Sequence, residues 1–149
     1  MHIDESFVYF KTKQYLSDNG WTILAGEPAG GSDELPRIEI RNPGFRDKGS
    51  KGSYKIDLIS QKGDVILLTE IKVTYSHSDI TKLNDITSTK NAQLIAALKE
   101  RLDLDISLKK IIKSLSLNNL KSSRIPYDFV CFKVGETIEV INQHLLPKD

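Results

Sequence analysis

One cysteine, Cys131, excludes an internal disulfide and any zinc site built on several cysteines. It sits in "DFVCFKV", an apolar strand-like stretch, so buried packing is expected of it rather than a reactive thiol. His2, His77 and His144 are too scattered for a histidine-based metal site. No apolar run approaches the ~20 residues of a membrane span. The opening Met1-His-Ile-Asp-Glu lacks the basic and apolar segments of a secretory leader, so an intracellular protein is expected. There is no internal repeat and no low-complexity tract. The glycines of "AGG" and "GSKGS" are not followed by Gly-Lys-Ser/Thr at the spacing of a phosphate-binding loop. Neither a Ser/His/Asp nor a Cys/His arrangement supports nucleophilic catalysis.

An excess of charge is also missing, since the net is only +1 over 149 residues. Its distribution is uneven. Residues 1–36 carry a net of −4, residues 37–55 a net of +4, and residues 109–124 a net of +5 with no acid. If the fold brings the two basic blocks together they form a phosphate-facing surface; otherwise they are solvated loops and helix faces. Arg41, Arg46, Lys48 and Lys51 are the candidate phosphate contacts.

One domain, residues 1–149, is expected from this length. Residues 3–18 predict a helix with Ile3, Phe7 and Phe10 on one face, ended by "DNG". Short strands are expected at 21–25 and 37–41, a polar glycine-rich loop at 42–53, and a hairpin at 54–73. Helical spacing follows from Ile80 to Leu102, with a break near 86–90 at the poor helix former "TSTKN". Leu108, Ile111, Ile112 and Leu115 predict a further helix capped by Ser107. A second hairpin turns around Gly135-Glu136. The sum is an α/β fold, a central mixed sheet flanked by helices.

The informative stretch is Tyr54 to Val73, "YKIDLISQKGDVILLTEIKV". A charge set among Val, Ile and Leu costs several kcal/mol unless paired, bound to metal or near water. Three such charges stand here: Asp57, Glu70 and Lys72. With the turn centred on Lys62-Gly63, Asp57 lies opposite Leu68 and Lys55 opposite Glu70. Asp57, Glu70 and Lys72 then share one face, the two acids diagonal to each other within ~8 Å. Two carboxylates so placed can hold a magnesium or manganese ion through hard oxygen ligands. The ion activates water and stabilises charge on phosphoryl oxygens, while the lysine neutralises a phosphate or orients the water. The alternative is a structural ion-pair ladder of Lys55 with Glu70 and Lys72 with Asp57. It is disfavoured because these charges interrupt strands apolar on both faces, where such pairs gain little.

An acid, a spacer and Glu70-Ile71-Lys72 at the end of an oily strand resemble the PD-(D/E)XK nuclease superfamily, the restriction-endonuclease-like fold. The proline that often precedes the first acid is replaced here by Ile56. The order helix, strands, acidic hairpin, helix, strand is similar as well. The resemblance implies a restriction-endonuclease-like core and magnesium-dependent hydrolysis of DNA phosphodiesters. It makes Asp57 and Glu70 metal ligands and Lys72 the water-assisting lysine. It also implies an added glutamate from the first helix, for which Glu5 is the candidate; a plain helix-N-terminal acid is its alternative. Lys90 and Gln93 stand where that superfamily often sends a polar side chain inward; His77, close after the motif, could touch a phosphate, and a plain surface histidine is its favoured alternative. A narrower similarity is to archaeal-type Holliday-junction resolvases, through "GWTILAGEPAGGSDELP", with Ser32 as the loop serine. A compact restriction enzyme or homing endonuclease fits the same core. Two-strand cleavage with one acidic hairpin per chain implies a homodimer or higher assembly. The competing expectations are a non-catalytic DNA-binding or assembly module of the same fold, and a soluble α/β protein with structural hairpin charges.

Overall fold

The computed structural model describes residues 3–28, 34–40, 54–120 and 124–148. Asp4 opens helix α1 (Glu5–Asp18) by accepting the Phe7 N–H at 2.9 Å, which satisfies one of the orphan donors of the first turn. The buried face of α1 is Val8, Tyr9, Thr12 and Leu16. This corrects the face expected from Phe7 and Phe10, since Phe10 is half exposed.

The strands follow as β1 (Thr22–Gly26), β2 (Ile38–Ile40), β3 (Tyr54–Ile56), β4 (Leu58–Lys62) and β5 (Val65–Ile71). Two helices, α2 (His77–Thr87) and α3 (Asn91–Leu102), flank the expected break. Strands β6 (Lys110–Leu117), β7 (Phe129–Val134) and β8 (Ile138–Ile141) and a short 3₁₀ turn complete the described chain. The fold is α/β, with a six-stranded mixed sheet in the order β1-β4-β5-β6-β7-β8 and helices on both faces. Strands β5, β6 and β7 are parallel and the other pairs antiparallel. The parallel β5–β6 pair needs a long crossover, and α2–α3 provides it. Strands β2 and β3 form a separate two-stranded sheet beside α3.

The helix expected at 107–117 is strand β6 instead. Its apolar residues fit a helical stripe, but "IIKSLSL" also alternates. Ile111, Leu115 and Leu117 pack with α2 and α3, and Ile112 faces the α1 side. A short apolar run is ambiguous in period, and burial on both faces decided it here. The hydroxyls of β6 are satisfied in the interior: Ser114 pairs with Thr69 at 2.7 Å, and Ser116 with Thr12 of α1.

The hairpin turn is Gly63-Asp64, one residue later than expected, with Gly63 at φ +58°. Lys62 therefore faces Val65, and the register moves by two residues, which preserves which side chains share a face. At the end of β1, Gly26 lies against the Tyr9 hydroxyl of α1, closer than a side-chain carbon could stand. Cys131 is buried in β7, and burial pushes its thiol up to about 12, so it stays protonated. Among the described residues, no helix is long and apolar enough to cross a membrane.

Candidate functional site

The β4–β5 ladder runs regularly to the pair Leu58–Thr69 and then stops. Strand β3 must leave β5 to pair with β2, so the chain bends at Asp57. The Asp57 carbonyl accepts the Glu27 N–H at 2.9 Å. Side chains replace the missing rungs. The Asp57 N–H donates to Glu70 Oε2 at 3.1 Å, and the Ile71 N–H donates to Asp57 Oδ2 at 2.9 Å. The two acids are thus tied to each other's strand, directly across the hairpin rather than diagonal as first expected.

Glu70 is only 3% exposed, and its second oxygen, Oε1, accepts the Lys82 ammonium of α2 at 2.6 Å. One helical turn earlier, Asp79 is also buried, 6% exposed. Burial pushes the Glu70 carboxyl up to about 7; repulsion from Asp57 adds to this, and Lys82 opposes it. Asp57 is pushed up to about 6, again mainly by burial, although the Ile71 N–H and Lys82 favour its carboxylate. Burial also raises Asp79, while Lys72 and Lys82 pull it back. Glu5, half-buried in the first turn of α1, repels both Asp57 and Asp79. Glu5 and Asp79 therefore act on Asp57, and Asp57 on Glu70, with Lys72 and Lys82 as the opposing charges.

Of the sequence-derived residues, Asp57 and Glu70 are brought together here, and Glu5 is within electrostatic reach of Asp57. Lys72 follows β5, exposed, its backbone N–H on the Ser116 carbonyl at 3.0 Å and its ammonium acting on Asp79. Lys55 does not face Glu70. It sits opposite Glu39 in β3 and pairs with Glu27 at 3.8 Å, so the Lys55–Glu70 ladder is not formed. Lys90 pairs with Asp85 at 3.5 Å and stands over the Tyr54 ring, while Gln93 lines a pocket of about 540 Å³ between α3 and β2. His77 meets the Tyr75 hydroxyl. None of these three acts on the clustered carboxylates. Arg41, Arg46, Lys48, Lys51 and Ser32 lie outside the described residues.

Asp79 and Lys82 were missed from sequence. Their signal was the helical spacing itself: Asp79, Lys82, Leu83 and Ile86 fall at i, i+3, i+4 and i+7, one face, whose Leu83 and Ile86 are fully buried. Of the second basic block, Lys109, Lys110 and Lys113 do not gather at this end of the sheet, and Lys121 lies outside the described residues. Lys110 aligns with Val65, at the other end of β5 and roughly 17 Å of strand from Glu70. Within the same block, Lys109 faces Asp64 at 3.9 Å, and Lys113 binds Asp128 at 2.6 Å and Asn84 at 2.8 Å.

The donors suit a hard divalent cation in kind. Asp57 and Glu70 offer carboxylate oxygens in a setting whose burial and mutual repulsion a cation would relieve. Among the described residues, no three His, Cys, Asp or Glu side chains are grouped to hold an ion. An ion on Asp57 and Glu70 would therefore keep water or phosphate in its other positions, as magnesium habitually does.

The raised carboxyls contribute a pH dependence to stability. The folded protein holds protons on Asp57 and Glu70 that the unfolded chain releases from about pH 4, so stability falls as pH rises toward the folded values near 6 and 7. The ion-free melting temperature is expected to drop between pH 4.5 and 7, and to drop less in Glu70→Gln. Melts across that range check this; an equal or larger drop in Glu70→Gln would show that the carboxyl pair is not its source.

No family model matches the chain, and no curated protein matches it.

Proposed function

We propose that this chain is a divalent-metal-dependent DNA endonuclease with a core similar to the PD-(D/E)XK superfamily. The observation that carries this reading is the pair Asp57 and Glu70, joined across a broken ladder at the end of β5, with Lys72 exposed two residues on. The order α1, β1, β4, β5, helices, β6 supports it, since this is the element order the resemblance implies.

In this reading Asp57 and Glu70 hold a magnesium or manganese ion, which when bound supplies Lewis acidity toward a phosphodiester. The apolar residues of β4 and β5 keep the two carboxylates in place: Leu58, Ile59, Leu67 and Leu68 are fully buried. The Ile71 N–H fixes the orientation of Asp57. Lys72, free to reach solvent, orients the attacking water or neutralises the scissile phosphate. Glu5 sets the local negative field from the α1 side. A homodimer would present two such sites to the two strands of DNA. Arg41, Arg46, Lys48 and Lys51 are the proposed phosphate contacts.

One observation favours a second reading. The 2.6 Å pair of Glu70 with Lys82 is a buried ion pair of the kind that tethers a helix to a sheet, which would suit a non-catalytic module or a structural role. The deciding experiment incubates the protein with plasmid, linear duplex and four-way junction DNA, with and without magnesium or manganese, over a salt series. Nicked or linear product only with the ion is expected, with binding that weakens steeply as salt rises. Salt-sensitive binding without cleavage on any substrate points to the DNA-binding module. Absence of both leaves the structural role.

A further inference from the structure

We propose that Lys82 is the resident cation of the acidic site, a positioning residue that occupies Glu70 until a divalent ion displaces it toward Asp79. This rests on the reading that Asp57 and Glu70 receive the ion. Both oxygens of Glu70 are engaged: Oε2 takes the Asp57 N–H and Oε1 the Lys82 ammonium. An ion on Glu70 would stand next to that ammonium, and in a site this dry like charges at contact distance repel strongly. Pairing with Lys82 and binding of the ion therefore compete for one carboxylate.

Lys82 has somewhere to go. Asp79 precedes it by one turn on α2, is buried, and already feels the Lys82 charge. The Lys82 side chain is 18% exposed, at the rim of the interior, so the displacement proposed is a change of rotamer on α2. Lys72 also acts on Asp79, so this carboxylate is placed to receive a cation from either side. In the ion-free protein Lys82 holds Asp57 and Glu70 in place against their repulsion. With the ion bound, Asp79 retains the lysine nearby.

The test is calorimetric titration of Mn²⁺ into wild type, Lys82→Met, Lys82→Arg and Asp79→Asn, with thermal melts of each in the absence of the ion. Lys82→Met is expected to bind Mn²⁺ about tenfold more tightly than wild type. Its ion-free melting temperature should fall, and its gain on adding Mn²⁺ should be the largest of the set. Lys82→Arg retains the charge and should bind no more tightly than wild type. Asp79→Asn, which removes the alternative partner, should bind more weakly. Unchanged or weaker binding by Lys82→Met overturns the inference, as does an absence of Mn²⁺ binding in both it and wild type. If Lys82→Met does not fold, Asp79→Asn decides: affinity equal to or above wild type overturns the proposal. Tighter binding by Lys82→Met with no DNA cleavage by wild type overturns the nuclease reading alone.

Discussion

Asp57→Asn is expected to abolish DNA cleavage, by at least about a thousandfold or ~4 kcal/mol in barrier, while the protein stays folded. The asparagine oxygen still accepts the Ile71 N–H, and the backbone N–H of residue 57 still reaches Glu70, so both ties across the broken ladder persist. Only the charge is lost. Removing it relieves the repulsion that raises Glu70, so the ion-free melting temperature should be equal to or above that of wild type near pH 7. Asp57→Ala is a poorer probe. It leaves the Ile71 N–H without its acceptor, at a cost of about 1–3 kcal/mol, so lost activity and lost stability would be mixed. Plasmid nicking under single-turnover conditions, with melts of the same preparations, separates the cases. A folded and fully active Asp57→Asn would end the nuclease assignment.

Lys72→Ala should be nearly as damaging to cleavage but mild in its effects on folding and ion binding. The side chain is exposed and acts on Asp79 only at a distance, so its loss should change stability by no more than about 1 kcal/mol. As an ammonium it is not a ligand, so Mn²⁺ affinity should remain close to wild type. The matched control is Lys55→Ala, another exposed lysine two residues before Asp57, whose pairing is with Glu27. It should retain activity within about tenfold, ~1.4 kcal/mol. Equal losses in the two variants would mean that Lys72 contributes only general positive charge. Full activity in Lys72→Ala would pass the water-orienting role to another group.

Which parts of this arrangement were legible in sequence depended on how many periodicities a segment could satisfy. The hairpin was legible because its charges interrupt strands otherwise apolar on both faces, and a register error of two residues kept Asp57 and Glu70 on one side. The break between α2 and α3 was legible from its composition. The reversed case is β6, where Ile111, Ile112 and Leu115 satisfy a helical stripe, and only burial on both faces shows the strand. The direct tie between Asp57 and Glu70 was not legible. It arises because β3 turns away to join β2, a tertiary event that no local pattern in 54–73 records. Asp79 and Lys82 went unseen for another reason: charged residues in a helix read as solvent-facing by default, though their spacing shared a face with Leu83 and Ile86.

The contact between Gly26 and Tyr9 bears on the site at one remove. Tyr9 is buried and Leu35 closes on the same glycine, so a methyl group at position 26 would force the Tyr9 ring, or α1 that carries it, to shift. Glu5 lies one turn from Tyr9 on that helix and on the same side of it. A side chain at position 26 that lifted α1 would also carry Glu5 away from Asp57 and Asp79, so the smallest residue in the chain bears on how strongly that acid opposes them.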